Sequence, residues 1–592
     1  MKHLLNKAIA FTLVLLILIS SLASCVNDTG DNETNQITTD EIPVTSGSIS
    51  LVSDGVAKCK IVRSSTATAT VKDLVNNLSN LFASATGATP KISTDKQSAN
   101  NNGDTVEILV GVTSREESAT ALEGIGYGDY IVKFVNNKLV INALSSDALA
   151  DAITAFGMEL LSNGTEGSFA VSADINLTGT GVQSVNALPT YDGGKKDCVY
   201  DNGNDNYMLV VSDTTAESYT SYLSKLESSG FEFYTDNQIK ENKFATYIND
   251  KYIVNASYTA YENTVKVNIE PLSTLPTLEP TEECQKLVEP SISILGLAYP
   301  PKETRDSGGL SLVIQSSEGG FTIIDGGYKN ANTAKAIYDY MKKYAPDPDN
   351  IVIDAWVITH AHSDHWGSFY VFADTYADKV TLKHFIANFP SDTARYDGNL
   401  QAGDVDSGNV LLAQAKKFDG VRIIKAHAGQ KYFFGDLMFE VLFTTENYAP
   451  QILTIGNTTS TCLNIELGGQ KFLMLADATD YVCEVLANTY GDYLKSDIVQ
   501  VAHHGFSVGR DTNVNVIRVY EYASADVVLW PCATTAYEVI KDAPYNKCVV
   551  NLAKEVFIAG AGGRVVRLVV PYTVGTSGCD SLQDWLSEKQ ST

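Results

Sequence analysis

Val357-Ile358-Thr359-His360-Ala361-His362-Ser363-Asp364-His365-Trp366-Gly367 is the stretch that decides how this chain is read. The residues before it, Ile351-Val352-Ile353-Asp354-Ala355-Trp356-Val357-Ile358, form a short apolar run, the pattern of a strand covered on both faces. The run ends in four potential metal ligands. His360 and His362 stand two apart, so in extended backbone both imidazoles can turn to one side and grip one cation. Asp364 and His365 follow at once and can hold a second cation beside it. Neutral imidazole mixed with carboxylate is a donor set that suits zinc. The chain of 592 residues has only 8 His, and three of them crowd into this loop.

Working outward, four more places along the chain extend the pattern. Phe321-Thr322-Ile323-Ile324-Asp325-Gly326-Gly327 puts an acidic residue at a strand end before a glycine turn. Phe472-Leu473-Met474-Leu475-Ala476-Asp477 does the same without the glycines. Asp497-Ile498-Val499-Gln500-Val501-Ala502-His503-His504-Gly505 is a strand delivering a His pair, and Asn457-Thr458-Thr459-Ser460-Thr461 precedes the strand Cys462–Leu467. Together with His360-x-His362-x-Asp364-His365, these stretches resemble the metallo-β-lactamase fold superfamily. The resemblance spans about residues 287–575 and implies an αβ/βα sandwich.

It also implies roles. His360, His362, Asp364, His365, Asp477 and His503 are the expected metal ligands, with Asp477 bridging two cations and Asp364 also orienting the attacking hydroxide. His504 is the expected proton donor to the leaving group, although neighbours on a loop cannot be ranked by spacing and the two His can exchange roles. Asp325 is expected to brace a ligand His from behind. Asn457 stands where the superfamily often has His, which leaves open whether one or two Zn2+ ions bind. The His503-His504-Gly505 text resembles the branch of competence DNA-uptake proteins and phosphorylcholine esterases.

Before this region the chain reads as an α/β protein with two small leading domains. Residues 1–25 have a basic lead and an apolar core too short for an ordinary membrane span, and Leu22-Ala23-Ser24-Cys25 resembles a bacterial lipobox. The expectation is an exported protein, lipid-anchored through Cys25 at the cell membrane and facing outside. Residues 26–47 are a polar tether. Residues 48–178 read as an α/β domain, with a hairpin at Asn136-Asn137 and a capping box from Thr113 to Glu116. Residues 206–270 read as a small α+β domain, and Pro271 to Gln285 as a linker.

Acid outnumbers base 70 to 43, giving a formal charge of −27. This argues against a stable nucleic-acid partner, which needs a basic footprint. The 9 Cys show no Cys-x-x-Cys pair, so a zinc-ribbon framework is excluded. The function these readings support is an exported zinc hydrolase acting on a phosphodiester or related ester, from a small molecule or a cell-wall polymer. The alternatives are a non-catalytic surface scaffold with a degenerate metal domain, or an extracellular nuclease or lactonase.

Overall fold

The computed structural model describes residues 47–587 apart from 68, 98–104, 127, 145, 181–183, 203–204, 276–283, 298–308, 391–401, 450, 452, 454–455, 508–513 and 585–586. The signal segment 1–25, Cys25 and nearly all of the tether lie outside the described residues. Among those described, no helix is long and apolar enough to cross a membrane. The chain divides into two compact units, one of residues 1–187 with 198–201, the other of 188–197 with 202–592.

The first unit holds a six-stranded sheet in the order Lys91–Thr94, Cys59–Arg63, Val106–Val110, Lys138–Ala143, Asp129–Val135, Asn176–Thr180. Its first four strands are parallel, and Asp129–Val135 runs antiparallel to both of its neighbours. Helices Ala69–Thr86 and Ser146–Asn163 bury Leu78, Phe82, Ile153 and Phe156 in its core. The hairpin turn forms where Asn136 and Asn137 adopt φ of 47° and 62°, the left-handed pair that Asn tolerates. The capping box does not form. Arg115 takes the N-cap position of Glu116–Ala121 without a side-chain bond, and Thr113 pairs with the Ser118 hydroxyl instead.

The second unit begins with antiparallel strands adjacent in the order Tyr207–Ser212, Thr264–Pro271, Tyr252–Thr259, Asn242–Ile248, Glu232–Ile239. Helix Ala216–Ser228 covers one face with Tyr219, Tyr222 and Leu226. The other face meets residues 427–447, through Lys266, Asn268 and Glu270.

Two seven-stranded sheets make up the remainder. One runs Arg422–Lys425, Val380–Ala387, Ile351–Ile358, Phe321–Asp325, Ser311–Gln315, Ser291–Leu295, Val565–Val569. The other runs Lys431–Phe434, Leu437–Phe443, Cys462–Leu467, Gln470–Met474, Ile498–Gln500, Val527–Trp530, Glu555–Ile558. Alternate residues of both sheets, among them Ile324, Val357, Ile386, Ile465, Phe472 and Leu529, interlock in a shared core. The opposite faces are covered by helices. Ala331–Tyr344 and Ser363–Tyr376 pack on the first sheet; Asp480–Tyr490, Val514–Ala523 and Pro544–Leu552 pack on the second. Strand Ile351–Ile358 is therefore buried on two sides, as its mostly apolar run predicts. The fold is mixed α/β, with an αβ/βα sandwich of two seven-stranded sheets in its C-terminal half.

The small sheet and the sandwich are joined inside the second unit. Ile239 and Phe244 belong to the core that covers the second large sheet. Gly429, at φ +87°, lies against the Phe244 ring, and a Cβ there would overlap it. Asn237 Nδ2 donates to Gly429 O at 3.0 Å and to Glu440 Oε1 at 2.6 Å, and Asn242 Nδ2 donates to Thr489 O at 3.0 Å.

Candidate metal centre

The site is built from chain segments that leave parallel strands at the same end. Ile351–Ile358 feeds the loop 359–362 and then the helix Ser363–Tyr376, so His360 and His362 sit on loop while Asp364 and His365 open a helix. Among the bonds that hold this loop are three to backbone oxygens. Trp366 Nε1 donates to Ala361 O at 2.8 Å, Gly326 N to His365 O at 2.6 Å, and Thr461 N to Thr359 O at 2.9 Å. Gln470–Met474 delivers Asp477 through Ala476, which adopts φ 49°. Ile498–Gln500 delivers the His pair, whose backbones are both left-handed, at φ 48° for His503 and 54° for His504. Consecutive left-handed residues that are not glycine are strained, a cost of order 1–3 kcal/mol each that the surrounding structure must offset. Trp530 packs so close to Gly505 that no side chain fits there, and its Nε1 donates to His504 O at 2.8 Å.

Two groups of donors result. Asp364, His365, Asp477 and His504 bring their ligand atoms within 4.8 Å of one another; so do His360, His362 and Asp477. Asp477 belongs to both. Its Oδ2 is 3.1 Å from His365 Nε2 and 3.8 Å from His360 Nε2, and its Oδ1 is 3.5 Å from His504 Nε2. His504 Nε2 is also 3.3 Å from Asp364 Oδ2.

The hydrogen bonds fix the tautomers. Asp325 is fully buried and accepts Thr359 N at 2.8 Å on one oxygen and Thr359 Oγ1 at 2.8 Å on the other. The second oxygen also faces His365 Nδ1 at 2.7 Å. An ionised carboxylate only accepts, so His365 donates from Nδ1. Thr359 spends its proton on Asp325, so the contact of 3.2 Å to His360 Nδ1 is donated by His360. His504 Nδ1 donates to Pro531 O at 2.8 Å. In their neutral form all three rings therefore turn an Nε2 lone pair inward. Those three Nε2 atoms and Asp477 Oδ1 are buried without a hydrogen-bond partner. Lone pairs facing carboxylates repel unless a cation lies between them, and the donor set fits one or two divalent transition-metal ions.

The electrostatics agree. Burial alone would raise the Asp477 carboxyl, but His365, His504 and His503 beside it hold it well below the usual carboxylate range. Burial works against a charged His365, yet Asp477, Asp325 and Asp364 push its pKa well above the ordinary imidazole value. At His360 burial prevails, joined by the neighbouring His365, and its pKa falls. The pocket attracts positive charge at its centre and resists it at His360.

The structure places the two rings of the His pair differently. His504, expected as the proton donor, is the buried ring whose Nε2 joins the Asp364 group. His503, expected as the ligand, belongs to neither group. Its side chain is 24% exposed, its Nε2 lies 3.9 Å from Asp477, and its Nδ1 donates to Ser507 O at 3.0 Å. Asn457, expected beside the metal ligands and not among them, presents Nδ2 to His503 Nε2 at 3.0 Å. The two left-handed residues turn the strand end so that the second His points inward, a twist the residue types do not announce. His384 and His427 lie elsewhere, His384 bonded to Asp354 O at 2.8 Å.

Residues 304–505 match the family model of the metallo-beta-lactamase superfamily. No curated protein matches the sequence. Among solved structures, the metallo-beta-lactamase fold protein YhfI from Bacillus subtilis is similar at 14% identity, with a TM-score of 0.29, covering 47% of this chain and 99% of that one. Zn(2+)-bound PqqB from Methylobacterium extorquens shows 12% identity and a TM-score of 0.30, covering 46% and 99%. CmlA, a diiron beta-hydroxylase from Streptomyces venezuelae, shows 14% identity and a TM-score of 0.28, covering 49% and 55%. The matched stretch, residues 304–505, lies within the C-terminal sandwich and is similar to the metallo-beta-lactamase superfamily.

Proposed function

We propose that this protein is an exported, zinc-dependent hydrolase that cleaves a phosphodiester or related ester. The observation that carries the reading is the set of inward Nε2 lone pairs of His360, His365 and His504, buried without partners against Asp477 and Asp364. A binding scaffold gains nothing from burying such a strained, polar arrangement.

Asp364, His365, Asp477 and His504 would hold one ion, and His360, His362 and Asp477 a second. Zinc bound there supplies Lewis acidity toward a phosphoryl oxygen and an acidified water. The remaining steps belong to the chain. Asp325 keeps the His365 lone pair pointing inward. Asp364, at the pocket side of its helix, accepts a hydrogen bond from the attacking water and aligns it. His503 Nε2 accepts Asn457 Nδ2–H when neutral; released from that bond, it can take up the proton of the attacking water and return it to the leaving oxygen. A phosphodiester suits the site because the assembled cations and imidazolium would stabilise its extra transition-state charge. The formal charge of −27 favours a small ester or wall polymer over long DNA.

Export and attachment through an acylated Cys25 complete the proposal, on the strength of the basic, apolar and Leu22-Ala23-Ser24-Cys25 segments. The zinc-loaded protein should be offered bis(p-nitrophenyl) phosphate, an acyl lactone and a chromogenic cephalosporin in parallel. Turnover of the first is expected. Turnover of the lactone or cephalosporin, with none of the phosphodiester, overturns the substrate class.

A further inference from the structure

A second polar site lies inside the same unit, away from the metal ligands. The face of the small sheet that meets residues 427–447 leaves a cavity of about 150 Å³. Thr246, Asn255 and Asn268 are cross-strand partners on three adjacent strands, so their side chains form one row along this cavity. Both amides are buried, Asn255 at 7% exposure and Asn268 at 5%.

The orientation of each amide follows from its neighbours. His427 N donates to Gln430 Oε1 at 2.9 Å, and a backbone N–H can only donate. Gln430 must therefore present Nε2 to Asn255 Oδ1, which it does at 3.1 Å, and Thr246 Oγ1 donates to the same oxygen at 2.8 Å. Asn255 Nδ2 is left over. On the adjacent strand, Asn268 Nδ2 donates to Glu446 Oε2 at 3.1 Å. A carboxylate cannot donate in return, so Asn268 Oδ1 is left over. These two atoms, one donor and one acceptor, are buried without a hydrogen-bond partner. Native structures leave few such groups, because each forfeits its hydration.

The charges bonded to this row are answered among themselves, while Asp236 and Lys431 also line the cavity. Glu446 pairs with Lys425 at 3.0 Å and with His427 at 2.7 Å, His427 reaches Glu270 at 3.1 Å, and Lys266 Nζ donates to Asn447 O at 2.7 Å. What remains to be recognised in the row is neutral: a donor and an acceptor on cross-strand partners whose Cβ atoms stand roughly 5 Å apart. Phe244 and Phe433 add ring surface to the same cavity.

We propose that this cavity binds a small uncharged polyhydroxylated molecule, a monosaccharide unit or polyol, held jointly by Asn255 Nδ2 and Asn268 Oδ1. Neighbouring hydroxyls fit because each both donates and accepts, and the C–H face of such a molecule suits the Phe rings. The site asks nothing of the metal centre, so its test stands apart from that of the hydrolase.

The test is ligand-detected NMR and calorimetry on the full chain after export processing. The panel is glucose, galactose, N-acetylglucosamine, myo-inositol and glycerol, with acetate and sulfate as charged controls. Saturable binding of at least one neutral member is expected. Asn255→Asp keeps the side-chain shape but turns the free donor into an acceptor, and should weaken that binding about tenfold or more. Asn268→Leu should do the same, and bound zinc, read at the separate metal centre, should stay at the wild-type level in both. If Asn268→Leu fails to fold, Asn255→Asp and the wild-type titration still decide. No saturable binding by any neutral member, binding that survives both variants, or a crystal soaked in the panel that shows only a bridging water between the two amides would overturn the site.

Discussion

Asp325→Asn is the most informative single change at the metal centre. Asp325 touches no expected metal position; it acts only through Thr359 and His365. Its backbone φ of +59° is one that Asn accepts as readily as Asp, so the fold should survive. The consequence lies in the protons. Thr359 N must still find an oxygen, so the new amide has to turn Oδ1 toward it and Nδ2 toward Thr359 Oγ1 and His365 Nδ1. His365 Nδ1 then becomes an acceptor, and the ring proton moves to Nε2, where it blocks the inward lone pair 3.1 Å from Asp477. Loss of such a supporting bond typically weakens metal binding about 10- to 100-fold, roughly 1.4 to 2.7 kcal/mol. Here the tautomer is reversed as well as released, so the expectation is the upper end, about 100-fold. Competition for zinc against a chromogenic chelator gives the affinity, and far-UV circular dichroism confirms the fold. A folded Asp325→Asn protein with wild-type zinc affinity would refute the tautomer argument.

Three further outcomes rest on the same geometry. His504→Ala should lose a zinc equivalent by elemental analysis, whereas His503→Ala should keep its zinc and lose turnover; equal metal loss in both would return His503 to the ligand set. The buried His427 is pushed up to about 9, burial being outweighed by Glu446 and Glu270, while both carboxyls are held below their ordinary value with His427 as the main cause against burial. The His427 contribution to stability is thus complete below its unfolded value of about 6.5 and fades as pH rises through about 9; that of the carboxylates is complete above about 4.5 and fades on acidification. Thermal melts across this range should show a plateau between those limits, and His427→Gln should flatten the alkaline decline; a decline unchanged in that variant would show that another group titrates. Finally, Cys25→Ser should release the protein from the membrane fraction or block its processing, and retention would point to an uncleaved signal anchor.

Much of this architecture is legible in the sequence because it rests on period and residue type. Ile351–Ile358 reads as doubly covered strand from its apolar run, and Asp325 and Asp477 become legible only beside the His loop, because an acid between a strand and a turn is ordinary by itself. The inward His is not legible. His503 and His504 are chemically identical neighbours, and only two successive left-handed backbones decide which one turns inward. Asn457 reads as a defect in the ligand set, and only its position against His503 Nε2 shows it to be a partner. Residues 264–270 mislead differently. Lys266, Asn268 and Glu270 alternate with Val265, Val267 and Ile269, the pattern of a sheet with one wet face, yet all three polar residues are buried against Asn447, Glu446 and His427. Alternation reports which residues share a face, and a polar row buried at a second sheet carries the same signal as one facing water.

The contact at Gly429 has a consequence for how the protein comes apart. A chain cut after residue 285 would leave Phe244 behind, turn the ring's bed at Gly429 to solvent, and strip His427 of Glu270. A buried ion pair broken by removing one partner typically loses about 3–5 kcal/mol, a large share of the stability of an ordinary domain. The small sheet and the sandwich should therefore melt in one calorimetric transition, with the van't Hoff and calorimetric enthalpies of that transition equal. The small sheet and the sandwich belong to one compact unit, and their shared core gives neither a reason to unfold before the other.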